Sequence, residues 1–149
     1  MTRKTRRPRE RVGGSLAKAF LRNAAGFQDI AAMTHAQRPS SAAYHLAIAA
    51  ELALKAYLLD RGISDQWNKI HIGHDLVKAL KSARRAGFLD APQGVMEVAR
   101  FLTPYYLHQK AEAPESEAAE GLVRTNAFEL VKALRRAIAA AINWERDAA

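Results

Sequence analysis

Eighteen consecutive residues, Ala42 to Leu59, read AAYHLAIAAELALKAYLL, and only His45, Glu51 and Lys55 among them are strongly polar. A helix on a protein surface carries one apolar stripe and a wide polar face. Here Tyr44, Leu46, Ile48, Leu52, Leu54, Tyr57, Leu58 and Leu59 point in most directions, and alanines fill the gaps. Such a helix has to be surrounded, by its own bundle or by a second copy of the chain. It is nearly long enough to span a bilayer. Glu51 and Lys55 near its centre argue against that, since a central charge costs about 2.5–3.5 kcal/mol even on permissive insertion scales. The expectation is a cytoplasmic protein without a membrane partner.

Glu51 precedes Lys55 by four residues, the better orientation for a helical ion pair. Three arrangements fit the pair. On a wet strip of the helix it is worth only tenths of a kcal/mol. Buried, it becomes a polar clasp that needs further partners, and His74 is the candidate. In the third arrangement Glu51 is a catalytic carboxylate, for which the chain supplies no evident second half.

The remaining segments are also helical in pattern. Ser15 offers an N-cap for a helix to about Met33, with Leu16, Phe20, Ala24, Phe27, Ile30 and Ala31 at helical spacing. Pro39-Ser40-Ser41 opens the quoted helix and Gly62 stops it. Residues 63–73 read as a connector containing Trp67 and His71. His74-Asp75 opens a shorter helix with Leu76, Leu80 and Ala83 inward and Gly87 as its stop. Asp90-Ala91-Pro92-Gln93 has the form of a capping box for a fourth helix carrying Val95, Val98, Phe101 and Leu102, which Pro104 should kink or end. Residues 111–121 hold four glutamates, Pro114 and no base, the pattern of an acidic surface loop. Asn126 with Glu129 makes a second capping box, launching a last helix with Phe128, Val131, Leu134, Ile138 and Ile142 on one stripe.

No stretch alternates apolar and polar residues convincingly, so the expected fold is all-α. The simplest form is an antiparallel up-and-down bundle of four to five helices over residues 15–147, behind a disordered basic tail of residues 1–14. With 149 residues, 49% of them hydrophobic, the chain can bury a core without disulfides or structural metal. It contains no cysteine, which excludes thiol chemistry and cysteine-based zinc sites. The five histidines show no metal-binding spacing, and no cofactor motif is present.

The net charge of +8 is unevenly placed. Residues 1–12 hold Arg3, Lys4, Arg6, Arg7, Arg9 and Arg11 against Glu10, leaving 17 basic and 14 acidic residues in the rest. The tail adds non-specific attraction to nucleic acid or anionic surfaces. Arg84-Arg85 and Arg135-Arg136 lie among apolar neighbours on helices. They read as solvated faces or, if they share a groove with Arg100, as contacts to a nucleic-acid backbone. Tyr105 and Tyr106 offer stacking faces for bases, or core packing.

Taken together, AAYHLAIAAELALKAYLLDRG, HDLVKAL, LTPYYLHQK and the closing ALRRAIAAAINW resemble the HEPN family of helical bundles over roughly residues 40–145. Glu51, Lys55 and His74-Asp75-Leu76 correspond to recurring polar positions of that family. The resemblance implies a bundle that commonly dimerises, is often linked to RNA or nucleotides, and acts in toxin–antitoxin or defence systems, sometimes beside a nucleotidyltransferase. The leading expectation is a homodimeric, non-catalytic interaction module.

One alternative is an antitoxin or substrate-binding partner of a nucleotidyltransferase. Another is a metal-independent ribonuclease, since catalytic members use an Arg followed by a His after four to six intervening residues. This chain departs from that pattern. Arg100 and His108 have seven residues between them, Pro104 included. Arg38 and His45 have six, but lie at the start of the quoted helix. The Arg-Tyr-Pro element frequent in related bundles is replaced by Leu107-His108-Gln109-Lys110.

Overall fold

In the computed structural model of the chain, residues 14–107 and 114–142 are described. They form α1 (Gly14–Thr34), α2 (Pro39–Asp60), α3 (Asp65–His71), α4 (Leu76–Arg85), α5 (Val95–Leu107), α6 (Glu115–Arg124) and α7 (Ala127–Ala141), with no strand among the described residues. The basic segment 1–13, His108, the first acidic residues 111–113 and Trp144 lie outside the described residues.

The whole arrangement is organised by α2, which packs against each of the other six helices. Seventeen of its 22 residues are buried. It has the length and hydropathy of a membrane span, and 78% of its most apolar window is covered by the surrounding helices. Its many alanines let neighbours come close. Across the longest contact, Ala17, Leu21, Ala24 and Ala31 of α1 face it. Leu54, Tyr57, Leu58, Leu76, Leu80, Phe88 and Leu102 fill the interior, and a fully buried side chain of this size contributes about 1.5–3 kcal/mol.

Seven helices stand where four or five were expected, because two short ones were hidden. The connector contains α3, started by Ser64, whose hydroxyl accepts from the Trp67 amide at 3.0 Å. The acidic stretch contains α6. Its glutamates are not loop chemistry: Glu115 and Glu117 occupy the first turn, where the helix dipole favours negative charge, while Ala118, Gly121 and Leu122 face inward.

Three local expectations change as well. α5 begins at Val95, and the Gly94 carbonyl, rather than an Asp90 capping box, receives the first amide bonds, from Glu97 and Val98. Pro104 does not end α5, which continues to Leu107. Asn126 makes no side-chain cap to α7. It adopts a left-handed φ of 57° and turns the chain sharply between α6 and α7. α1 is rotated relative to the expected stripe, leaving Leu16 and Ile30 exposed.

α2 is capped by another element. Arg38 occupies the N-cap position and offers no side-chain cap, and Pro39 follows it. Glu115, the first residue of α6, accepts from the Ser40 amide at 2.8 Å and from the Ser40 hydroxyl at 3.0 Å, with Arg38 at 3.7 Å. The bond from the Ser40 amide is the main cause holding the Glu115 carboxyl below the usual carboxylate range. A group whose folded pKa is depressed stabilises above its unfolded pKa and loses that contribution as pH falls through the folded value. Glu115→Gln should therefore lower the melting temperature at neutral pH, and the gap to wild type should close in acid. Melts across pH check this. α6 also presses Gly121 onto the Phe101 ring, so that a Cβ there would overlap the ring. Gly121→Ala should cost about 1–3 kcal/mol in denaturant unfolding, as overpacked sites do.

Candidate functional site

Glu51 and Lys55 sit on the flank of α2 that faces the α3–α4 junction and the end of α5, and both are 5% exposed. The junction is shaped to meet them. The Asn68 carbonyl accepts from the amides of Ile72 and Gly73, closing α3. Gly73 then takes a left-handed φ of 59°, a conformation that glycine adopts without steric cost. Its carbonyl accepts from Lys55 Nζ at 2.8 Å. Asp75 caps α4, with Oδ1 accepting from the amides of Val77 at 3.0 Å and Lys78 at 3.2 Å. The Leu76 amide donates to Thr103 Oγ1 at 3.2 Å, fastening the start of α4 to α5. The side chain between these anchors, His74, is thereby fixed over Glu51.

Lys55 Nζ donates to Glu51 Oε2 at 2.5 Å, and His74 Nδ1 lies 3.2 Å from the same oxygen. A carboxylate only accepts, so Nδ1 carries the hydrogen and Nε2 is the outward nitrogen. Tyr106 of α5 stacks on the His74 ring, with centroids 4.1 Å apart and planes 25° from parallel. Burial raises the Tyr106 hydroxyl pKa most, followed by the Glu51 charge, the hydrogen bond to Glu51, and Tyr44. The phenol therefore stays protonated at physiological pH, beside the Glu51 carboxylate. One buried carboxylate thus gathers an ammonium and an imidazole from two parts of the chain, and Tyr106 from a third stacks over the imidazole. The two hydrogen bonds, from Lys55 and His74, converge on one carboxylate oxygen, Oε2.

Above this cluster the rings continue. Tyr44 meets Tyr106 edge-on at 5.6 Å and His45 edge-on at 5.3 Å, and His45 lies parallel to Phe27 of α1 at 6.0 Å. Phe27, His45, Tyr44, Tyr106 and His74 make one row of partly exposed rings across α1, α2, α5 and the α4 entrance. His74 is the most open, with half of its side chain exposed. The sequence contains Tyr44 and Tyr106 in plain view, but their meeting depends on how α5 crosses α2.

Other singled-out residues are placed elsewhere. Tyr105 is 5% exposed and packs on Phe101, so it offers no stacking face; burial, then Glu117 and Glu115, raises its pKa. Arg135 donates to Gln28 of α1 at 3.0 Å, an internal tie between α7 and α1, while Arg136 is exposed on α7. Arg84 and Arg85 are exposed in the last turn of α4, and Arg100 is exposed on α5. Arg38 turns to Glu115 of α6, whereas His45 bonds the Ser41 carbonyl at 2.8 Å and lies against α1, so the two engage different helices. Among the described residues, no group of three or more His, Asp or Glu side chains is placed to hold a metal.

Removing one member of a buried pair strands the other charge, at a cost of about 3–5 kcal/mol. Glu51→Ala should destabilise by that much in denaturant unfolding. Glu51→Leu combined with Lys55→Met, which removes both charges and keeps the volume, should lie close to wild type.

No curated protein and no solved structure matches the chain. The family model of the HEPN domain matches residues 17–143, from the first turn of α1 to just past α7, and so takes in Glu51, Lys55, His74 and Tyr106 together. The chain belongs to the HEPN domain family.

Proposed function

We propose that the protein is a homodimeric, non-catalytic HEPN module that binds single-stranded RNA or a nucleotide on the ring row running from Phe27 to His74. The observation that carries this is the row itself: five rings with accessible faces or edges, held over a buried ion cluster that fixes two of them. Aromatic side chains stack on any base, each stacked base being worth about 1–3 kcal/mol. His74 Nε2 and the edges of Tyr44 and His45 supply polar contacts beside those faces. Membership of the HEPN family agrees with an RNA or nucleotide connection. The basic residues 1–12 add an electrostatic contribution that raises affinity without choosing a sequence.

The non-catalytic part rests on Glu51, whose carboxylate is bonded by Lys55 and His74, with the Tyr106 phenol beside it. It ties the α3–α4 turn to α2.

A native gel of labelled single-stranded RNA tests the reading with four proteins: wild type, residues 1–12 removed, Tyr44→Leu, and His74→Gln. The last keeps a donor for Glu51 and removes the ring. Retardation should survive the truncation, with affinity lower by a salt-sensitive factor. Each ring variant should weaken binding about tenfold or more. Retardation lost with the truncation and unchanged in both ring variants would overturn the ring-row site. Cleavage of the RNA by wild type would overturn the non-catalytic part.

A further inference from the structure

The charge on α4 works against the stability of its own helix. The sequence LVKALKSARR holds four bases and no acid. Lys78, Lys81 and Arg85, spaced three and four residues apart, form one exposed line opposite the buried stripe of Leu76, Leu80 and Ala83. Like charges at these spacings repel along a helix. The helix dipole favours bases in the last turn, where Arg84 and Arg85 stand, but disfavours Lys78 in the first. Carboxylates do not relieve the line. Arg38, Arg61, Lys69 and Arg124 each lie 3.2–3.7 Å from one, whereas Lys78, Lys81 and Arg85 have none within ion-pair reach among the described residues. Asp75, the nearest acid in sequence, turns its Oδ1 to the amides of Val77 and Lys78. An anion laid along the line would remove the repulsion that the free helix carries.

We propose that Lys78, Lys81 and Arg85 track the phosphates of a single RNA strand whose bases stack on the ring row. This chooses a strand over a lone nucleotide as the ligand of the function above, and rests on the ring row as the site of the bases. The line begins four residues beyond His74, the most open ring of the row, on the helix that His74 introduces. From Lys78 to Arg85 it runs about 10 Å along the helix axis. Cations strung out in this way suit a linear polyanion, whereas a single phosphate is gripped by cations that converge on one point. The line also holds no apolar side chain. The apolar face of α4 is turned into the core, so the helix lacks the exposed apolar side by which an interfacial helix enters a bilayer. Contacts from lysine and arginine to phosphates set where a strand lies and carry no sequence information. The strand would then leave the rings at His74 and run toward Arg85, its path fixed by α4 and its bases held by the row.

Filter binding of a labelled single-stranded RNA to the full chain over a range of salt concentrations tests this, with thermal melts beside it. Replacing Lys78, Lys81 and Arg85 together by Gln should weaken binding at low salt about tenfold or more. The slope of log K against log salt should become shallower by up to about 2, since each phosphate contact on a single strand contributes about 0.7. Arg136→Gln, which removes an exposed cation on α7, should leave that slope nearly unchanged. Lys78→Gln and Lys81→Gln should each melt at or above the wild-type temperature, because each removes repulsion within the helix. A triple variant that matches Arg136→Gln in slope and affinity would overturn the phosphate line and leave the ring row standing. Melting well below wild type in both lysine variants would show the lysines to be structural and overturn it too. If Tyr44→Leu and His74→Gln bind as wild type while the triple variant fails, the ring row falls and the joined path with it. Retention on vesicles of phosphatidylserine and phosphatidylcholine in equal parts that needs the three cations, with RNA binding indifferent to them, would put a membrane on the line instead.

Discussion

A carboxylate taken out of water must be given partners, and the placement of much of this fold follows from the partners that Glu51 receives. Lys55 comes from the same helix. His74 comes from the turn between α3 and α4, and Tyr106 from the end of α5. None of these contacts is strong enough to order the fold alone. Together they specify how the α3–α4 turn and α5 meet α2, because a displaced partner would leave a buried charge poorly compensated. Apolar contacts supply most of the driving force and tolerate sliding. The ion cluster does not.

That division of labour explains the composition of α2. A central helix touching six others must be apolar almost all round, and alanine lets six neighbours approach without steric conflict. Alanine, though, gives little shape to lock a register. Ala17, Ala24 and Ala31 of α1 are buried, as are most alanines of α2 on which that helix packs, and smooth surfaces of this kind can pair in more than one way. The polar group at Glu51 removes that ambiguity. The same rigidity carries outward, since His74 and Tyr106 each have one face or atom held by the cluster and another turned to solvent.

Much of this was legible in the sequence. The over-apolar helix pointed to a surrounded core element, the four-residue spacing of Glu51 and Lys55 raised the buried clasp among its readings, and His74 was the partner named for it. The turn-forming Gly73 and the cap at Asp75 are local effects, written in adjacent residues. What could not be read was tertiary. Tyr105 and Tyr106 are neighbours on one helix and point about 100° apart, so only packing decides which is buried and which is open. The short helices α3 and α6 fell below the length at which periodicity is informative, and the glutamates of α6 resemble a loop until the first-turn preference for negative charge is considered. The stripe of α1 was misplaced because two apolar faces overlap on that helix, one for α2 and one turned outward.

The cap on α2 has a consequence for the order in which the molecule can form. Ser40 and Glu115 are 75 residues apart in sequence. On a ribosome, α1 and α2 emerge with the first turn of α2 uncapped, and α3, α4 and α5 follow before Glu115 is made. The N-terminus of the central helix is therefore closed by a helix synthesised after α3, α4 and α5. A contact so distant in the chain has a large loop-closure cost and belongs late in folding. Until it forms, the helix that holds the core together has a frayed end, and a nascent chain released early would be vulnerable there first.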